Sequence, residues 1–451
     1  MKRGDIITVD ISEIDSKGDG RGFVEEREVV VRRAVPGDRV EARIAKKRRG
    51  RLNADMVRLV DCAMERTEPV CAHFGLCGGC RWQDVHYADQ LRIKEQMVRN
   101  ALVGQGFADV EIPPAIAVDA PFFYRNKMEF SFGSDREGRV QLGLHVRGRF
   151  NRIFDVEECH LQSPLSNRIV GVVRSAANDM GLSAYNLKTH EGLLRFLVIR
   201  DAKNSGQTLV NLVVSSYPDE GVDQLVEHLI REVPELDSLV VTLHSGKAQV
   251  AKGEREFVIS GGGAIEESCG GIRFDISPQS FFQTNSLQAE RLYALIREWA
   301  GNQLGRVLDL YCGTGSIGLH LAPLANEVVG IEVVEEAVAD ARINAERNGV
   351  HNCSFIAGAA EDVLNDVEKQ QGAFDLVVVD PPRPGLHRKV LDALGRMQAA
   401  RLLYVSCNPQ TLAENVLVLR EYGYAIERVQ PVDMFPQTPH CEVVCELVKL
   451  D

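Results

Sequence analysis

Short alternating runs of hydrophobic and polar residues open the chain, and glycine-containing turns separate them. Within residues 1–60 these β-type runs cover 6–11, 27–31, 39–44 and 54–60. Period-two alternation is typical of strands that bury one face. Several such strands within sixty residues predict a small barrel of the OB type.

A longer segment with mixed patterning follows this barrel. A mostly amphipathic pattern predicts a helix over 87–103. Residues 121–275 indicate a second β-rich domain with some helices, whose strand-like runs cover 127–132, 140–145, 194–201 and 208–214. Residues 122–127 interleave aromatic and basic side chains, which suits either an RNA contact or the core.

From about residue 276 strand-like and helical stretches alternate. Seven strand-like runs cover 306–311, 327–332, 353–358, 374–380, 401–405, 425–434 and 443–450. The alternation predicts a doubly wound, Rossmann-like seven-stranded sheet. The predicted fold is therefore multidomain α/β, with an OB-like barrel at 1–60, a central α+β domain at 61–275 and a Rossmann-like domain at 276–451.

Composition and charge limit the class of protein. No run of eighteen apolar residues occurs and no signal-peptide pattern opens the chain, so we expect a soluble, cytoplasmic monomer with no membrane partner. The formal net charge is −12, yet residues 1–60 hold 15 Lys or Arg and 11 Asp or Glu. The basic residues expected in one loop of the barrel are Lys46, Lys47, Arg48, Arg49 and Arg51. We interpret that cluster as an RNA contact, because small barrels commonly carry oligonucleotides on this kind of surface.

Three cysteines are closely spaced after the barrel, at Cys71, Cys77 and Cys80. Four thiolates suit either zinc or an iron-sulfur cluster. The fourth ligand could be Cys62 upstream or Cys159 far downstream. Three clustered cysteines plus a remote one are more typical of an iron-sulfur cluster, although zinc and a metal-free site both stay open.

A glycine-rich turn follows the first strand of the C-terminal domain, in the sequence Asp-Leu-Tyr-Cys-Gly-Thr-Gly-Ser-Ile-Gly over 309–318. Such a turn lets a nucleotide-like ligand approach the backbone. The second strand ends in Glu332, the acid expected to bind ribose hydroxyls. The fourth ends in Asp380, followed by Pro-Pro-Arg. Together these features predict an S-adenosylmethionine-dependent methyltransferase.

The methyl acceptor is indicated by Cys407, which follows an apolar strand-like run and precedes Asn408 and Pro409. A cysteine at this place could be a small buried core residue. A thiol at the mouth of the same cleft, however, suits carbon methylation of a pyrimidine. Uracil C5 becomes nucleophilic only after a thiolate adds at C6.

A base must then remove the C5 proton, and Glu442 at the start of the last predicted strand is the candidate. Neighbouring side chains of a strand alternate between faces, so Cys441 should point away from the cleft when Glu442 faces it. Cys407 is therefore the predicted nucleophile and Glu442 the predicted base.

These motifs, in this order, resemble the bacterial RNA (uracil-5-)-methyltransferases, specifically the iron-sulfur type with an N-terminal TRAM domain that methylates 23S ribosomal RNA. The resemblance covers nearly the whole chain. It implies a 4Fe-4S cluster on Cys71, Cys77, Cys80 and Cys159. It also implies that Phe281 packs on the target base and that Asp380 lies near the uracil. Contacts to S-adenosylmethionine are expected at Gln283, Tyr311, Gly313, Ser316, Glu332 and Asp380.

The expected activity is C5-methylation of a specific uridine, with ribosomal RNA as the expected partner. Methylation of a transfer RNA uridine is one alternative. Methylation of an exocyclic amine through Asp380-Pro381-Pro382 is a second, although no aromatic residue follows this element to stack on an adenine. A non-catalytic RNA-binding iron-sulfur protein is a third.

Overall fold

The computed structural model describes residues 1–15, 17–48 and 50–450. The strands of these residues form a closed barrel, a central seven-stranded sheet, a separate hairpin and a C-terminal seven-stranded sheet. The described helices include none that is long and apolar enough to cross a bilayer.

The barrel consists of β1 (Ile6–Ile14), β2 (Gly20–Val24), β3 (Arg27–Arg32), β4 (Arg39–Arg48) and β5 (Arg51–Asp61). Its strand order is β1-β2-β3-β5-β4, and β1 closes the barrel by pairing with β4. Alternate residues point inward and pack a small core, for example Val29 and Val31 of β3 and Val40 and Ala42 of β4.

The basic residues near position 48 lie mostly in strands, so the expectation of a single loop was wrong. Lys47 pairs with Leu52 and Arg48 pairs with Arg51, which extends the β4–β5 hairpin to its tip. The ladder continues because Ile44 and Leu52 anchor it in the barrel core. The side chains of Lys46 to Arg48 are exposed, whereas Arg49 lies outside the described residues.

The central region opens with α1 (Tyr87–Gly104) and then forms a sheet of order β12-β11-β10-β9-β6-β7-β8. Helices α2 and α3 pack on one face of that sheet through a continuous apolar core. The elements are β6 (Lys127–Ser134), β7 (Val140–Val146), β8 (Arg149–Asp155), α2 (Pro164–Asp179), β9 (Leu194–Asp201), β10 (Thr208–Val214), α3 (Glu220–Glu232), β11 (Ser238–Leu243) and β12 (Arg255–Ser260).

A two-stranded hairpin, β13 (Ile265–Cys269) and β14 (Ile272–Ile276), leads into the C-terminal sheet. That sheet has the order β17-β16-β15-β18-β19-β21-β20, in which the first five strands are parallel and β21 runs antiparallel to both β19 and β20. Its strands are β15 (Leu304–Leu310), β16 (Ala325–Glu332), β17 (Cys353–Ala357), β18 (Leu376–Val379), β19 (Arg401–Ser406), β20 (Tyr424–Val432) and β21 (Glu442–Lys449).

Helices cover both faces of the C-terminal sheet. They are α4 (Ser286–Ala300), α5 (Ser316–Leu321), α6 (Glu335–Arg347), α7 (Ala360–Gln371), α8 (Arg388–Met397) and α9 (Pro409–Glu421), with a short 3-10 turn at Ala322–Leu324. Two separate cores on the two faces confirm the doubly wound prediction. Helix α1 joins one of these cores by packing against α9, with Val98 and Leu102 close to Val416.

Candidate active site and cysteine pocket

Strand register brings three residues of the predicted site, Tyr311, Asp380 and Cys407, to one edge of the C-terminal sheet. Leu310 pairs with Val379, and Val379 pairs with Tyr404, so β15 and β18 end at the same level and β19 continues two residues further, to Ser406. Asp380 follows Val379 at this edge. The order of the sheet reverses between β15 and β18, and such a switch point is where open α/β sheets bind ligands.

Glu442 reaches the same edge because β21 runs antiparallel to β19. Ser406 pairs with Val443 in that ladder, so Cys407 and Glu442 are the next residues along the two strands. The Glu442 side chain is only 3% exposed, and Cys407 is half-buried. Cys441 belongs to the apolar core on the other side, as the alternation of side chains predicts.

Burial raises the pKa of each reactive group in this cleft. The pKa of Cys407 rises to about 11, first because of burial and then because Glu442 and Asp380 are near, while Arg383 opposes the rise. The pKa values of Glu442 and Asp380 are raised by burial, and the nearby Asp380 carboxylate raises that of Glu442 further. Each carboxylate disfavours ionisation of the other, so the pair shares the raised pKa.

Arg383 carries the positive charge that faces this group of acids. Its charge lowers the pKa of both Cys407 and Glu442. The guanidinium Nη2 lies 3.3 Å from Nε2 of His440, whose own pKa falls to about 4 through burial and through Arg383. Asn408 holds this loop in place, since its side-chain amide donates to the Arg383 carbonyl at 3.2 Å.

The glycine turn after β15 has the backbone of a ligand-binding loop. Tyr311 adopts a left-handed φ of +64°, and Gly313 and Gly315 follow with φ of +55° and +83°. A non-glycine residue in this region is strained and tends to occur at functional sites. The Glu332 carboxylate accepts the Gly313 N–H at 3.1 Å and the Val334 N–H at 3.0 Å, which ties the ends of β15 and β16 together.

The segment between β14 and α4 lies over this turn. Phe281 is 64% exposed, and its ring would lie 3.9 Å from a Cβ placed on Gly313. Gln283 is half-buried, and its carbonyl accepts from the Asn126 side chain at 2.7 Å. Ser316 begins α5, where its hydroxyl lies 3.4 Å from that of Thr314. Of the residues predicted to bind the methyl donor, Tyr311, Gly313 and Ser316 lie in or next to this turn, and Glu332 and Asp380 lie at the ends of β16 and β18.

The second site is a cavity of about 210 Å³ outside the C-terminal sheet. Cys71, Cys77, Cys80 and Cys159 all line it, whereas Cys62 is exposed and does not. The Gly79 N–H donates to the Cys77 sulfur at 3.3 Å. Within the described residues, no group of three or more His, Cys, Asp or Glu side chains is arranged to hold a metal ion as it stands.

The thiols in this cavity have raised pKa values because the cavity is buried. Burial raises the pKa of Cys77 to about 11 and that of Cys80 to about 12, and the neighbouring cysteines add to both shifts. Cys71, Cys77, Cys80 and Cys159 therefore present four thiols to one cavity. This arrangement fits a sulfur-ligated group, whose binding releases the thiol protons.

Comparison with known proteins adds two family matches to this geometry. Residues 1–57 match the TRAM domain, and residues 265–449 match the tRNA (uracil-5-)-methyltransferase family. An uncharacterized RNA methyltransferase of Caldanaerobacter subterraneus is 39% identical over 453 residues, with both chains fully covered. The chain belongs to this RNA methyltransferase family.

Further relatives support this membership. An uncharacterized RNA methyltransferase of Chlorobaculum tepidum is 39% identical, over 98% of this chain and 96% of its own. Among solved structures, the Pyrococcus abyssi tRNA (uracil-54, C5)-methyltransferase in complex with S-adenosyl-L-homocysteine superposes with a TM-score of 0.76. It is 28% identical and covers 98% of this RNA methyltransferase and 100% of its own chain.

Sequence reasoning missed two residues that the fold brings to the cleft. Arg383 was recognised only as part of the Asp-Pro-Pro-Arg element, without a role. His440 was recognised only as part of the turn before Glu442. Arg383 could have been recognised by its position three residues after Asp380, the acid at a strand end, on a loop facing Cys407.

Proposed function

We propose that this RNA methyltransferase transfers a methyl group from S-adenosylmethionine to C5 of a uridine, giving 5-methyluridine. The observation that carries the proposal is the ladder between β19 and β21, which makes a thiol and a buried carboxylate neighbours at a ligand-binding sheet edge. Amine methylation needs no such thiol. The match to the tRNA (uracil-5-)-methyltransferase family supports the same chemistry.

Cys407 acts as the nucleophile in the first step. Its thiolate adds to C6 of the uracil, a C–S bond forms, and the electrons of the C5–C6 double bond move into an enolate. Arg383 favours this step because its charge lowers the pKa of Cys407 against the effect of burial. Asp380 and Phe281 border the space where the base would lie.

Carbon C5 then takes the methyl group, which S-adenosylmethionine supplies when it is bound. Glu442 removes the C5 proton, the double bond re-forms, and the C–S bond to Cys407 breaks. The raised pKa of Glu442 suits this role, since a general base works best with a pKa near the working pH.

The methyl donor would lie against the turn after β15. Glu332 suits ribose hydroxyls, and the left-handed glycines allow close approach to the backbone. Gln283, Tyr311, Ser316 and Asp380 border that space. The similar Pyrococcus abyssi protein was solved in complex with S-adenosyl-L-homocysteine, which supports a methyl donor of this class.

The four-cysteine cavity would hold a 4Fe-4S cluster on Cys71, Cys77, Cys80 and Cys159. Support comes from the four thiols lining one cavity of about 210 Å³. A single zinc ion would draw thiolates to about 2.3 Å, which leaves most of such a cavity unfilled. Hydrogen bonds to the sulfurs help to set the reduction potential of iron-sulfur clusters. The Gly79 N–H donates such a bond to the Cys77 sulfur.

The RNA substrate is proposed to be 23S ribosomal RNA, and the barrel and central domain would hold it. The exposed basic side chains at the β4–β5 tip support a polyanion contact. A transfer RNA uridine is a second candidate, because the structurally similar Pyrococcus abyssi protein is a tRNA (uracil-54, C5)-methyltransferase.

The test is to map 5-methyluridine in ribosomal and transfer RNA from cells with and without this protein. Loss of one 23S site with unchanged transfer RNA supports the proposal. Loss of the modification in transfer RNA alone moves the substrate to transfer RNA. An N-methylated nucleoside as the only lost product would overturn carbon methylation.

A further inference from the structure

The nine residues between β20 and β21, which we call the base loop (433–441), end at Glu442. Helix α1, the loop that carries the cysteines, Tyr124 and Asn285 all bind this loop from outside.

Gln437 lies at the centre of the base loop. It is 2% exposed and has a left-handed φ of +67°, a strained conformation for a non-glycine residue. Its N–H donates to Oε1 of Gln90 at 2.9 Å. In return, Nε2 of Gln90 donates to Oε1 of Gln437 at 2.9 Å. The Gln90 side chain of α1 therefore binds Gln437 of the base loop twice, once at its backbone N–H and once at its side-chain oxygen.

The loop that carries the cysteines binds the same residue through its backbone. The Arg81 N–H donates to the Gln437 carbonyl at 2.7 Å, and the Trp82 N–H lies 3.3 Å from the same oxygen. Arg81 is the residue directly after Cys80. Gln90 also donates to the Trp82 carbonyl at 2.9 Å, so Gln437, Gln90 and the cysteine loop close a hydrogen-bonded ring.

Other contacts fix the rest of the base loop. Lys94 of α1 forms an ion pair with Asp433, and both side chains are fully buried. The Tyr124 hydroxyl donates to the Pro436 carbonyl at 3.1 Å. The Asn285 amide donates to the Met434 carbonyl at 3.1 Å. These groups belong to three different parts of the chain.

We propose that Gln437 is a positioning residue for Glu442, and that the cysteine loop, when its cavity is filled, holds Gln437 in that position. The inference rests on the proposed function, and it assigns the four-cysteine site a role in the proton-removal step. A filled cavity orders Cys80 and therefore Arg81, whose N–H fixes the Gln437 carbonyl. The fixed loop then aims the Glu442 carboxylate at the C5 proton.

The first test uses Gln437→Gly and Gln437→Asn. Both residue types tolerate a left-handed φ, so both variants should fold. Gly lacks the side-chain oxygen that accepts from Nε2 of Gln90, and Asn carries it on a side chain one methylene shorter, whereas the backbone N–H bond to Gln90 is kept. Thr242→Val is the matched control, because it removes a buried 2.7 Å hydrogen bond to Asn211 in the central sheet. Covalent protein–RNA adduct is measured at steady state on unmodified RNA.

Gln437→Gly and Gln437→Asn should raise the adduct severalfold and lower kcat about tenfold with little change in KM, as expected when a transition-state contact is lost. Thr242→Val should leave the adduct level unchanged. Normal adduct levels in both Gln437 variants would overturn the positioning role. Glu442→Gln separates this outcome from failure of the proposed function, because it should accumulate adduct whatever Gln437 does.

The second test measures backbone hydrogen exchange across 433–441 in the protein as isolated anaerobically and after removal of bound iron by chelation. Faster exchange in the base loop of the iron-depleted protein, matched in a Cys80→Ser variant, supports the link. Faster exchange confined to the cysteine loop, with the base loop unchanged, would overturn it. This readout does not depend on methylation.

Discussion

Ser406 lies opposite Val443 in the antiparallel ladder between β19 and β21. This pairing makes Cys407 and Glu442 neighbours at the end of two buried strands, although 34 intervening residues separate them in the sequence. Backbone hydrogen bonds therefore fix the separation of the proposed nucleophile and the proposed base. A register shift of one residue would turn one of the two side chains to the opposite face.

Replacing Glu442 with Gln should stop the reaction after methyl transfer. The amide cannot take the C5 proton, so the methylated RNA stays bonded to Cys407. Denaturing gel electrophoresis with labelled RNA should show a stable protein–RNA species that the parent enzyme lacks. Glu446, which is buried in the same strand but binds Arg401 and Arg428, offers the control Glu446→Gln, which should form no such species.

Replacing Arg383 with Gln should slow adduct formation and shift its pH dependence. The Arg383 charge lowers the pKa of Cys407, so its loss raises that pKa above about 11 and decreases the thiolate fraction at any given pH. The rate at pH 7.5 should fall up to about tenfold for a one-unit shift, less after solvent screening of this exposed side chain.

The pH profile separates this electrostatic role from a structural one. Single-turnover adduct formation should rise with pH in the parent enzyme, and the rise should move to higher pH in Arg383→Gln. Arg383→Lys keeps the charge and should recover most of the rate. An Arg383→Gln profile that overlays the parent profile contradicts the role.

Replacing Lys94 with Met should destabilise the protein. Asp433 would keep the Tyr87 hydroxyl at 2.9 Å but lose its cation in a fully buried site. Breaking a buried ion pair by removing one partner costs about 3–5 kcal/mol. Thermal unfolding should therefore begin at lower temperature, and the double variant Lys94→Met/Asp433→Asn should recover part of the loss. An unchanged transition in the single variant would show that the pair contributes little.

Replacing Cys159 with Ala should abolish the bound cluster, because this residue supplies the remote thiol of the cavity. The anaerobically purified parent should show broad brown absorbance and about four irons per chain if all four thiolates bind one 4Fe-4S cluster. Cys62→Ala is the matched control, since Cys62 is exposed and outside the cavity. Colourless parent protein containing one zinc ion would contradict the cluster.

The strand ends of the C-terminal sheet could be predicted from the sequence because apolar runs and the residues that follow them are local signals. Glu332, Asp380 and Cys407 end or follow such runs, and Glu442 begins one. The barrel was predictable for the same reason. The basic residues at the β4–β5 tip were predicted to lie in a loop. A charge pattern alone does not reveal that Leu52 pairs with Lys47 and continues the ladder.

The contacts between distant segments could not be predicted. Gln90 and Gln437 are 347 positions apart, and neither has a pattern that marks it as paired. The contact of Arg81 with the Gln437 carbonyl is a backbone hydrogen bond, so side-chain identity carries no signal for it. Only the packing of α1 and the cysteine loop against the C-terminal domain creates these pairs.

The most direct test of the central claim is to trap the enzyme on RNA containing 5-fluorouridine and locate the bond by peptide mass spectrometry. Fluorine at C5 cannot leave as a proton, so the adduct should persist in the parent enzyme. We predict that the nucleotide is bonded to the peptide containing Cys407, and that Cys407→Ala neither traps RNA nor methylates it. Methylation by Cys407→Ala, or a bond to another cysteine such as Cys441, would contradict the proposed mechanism.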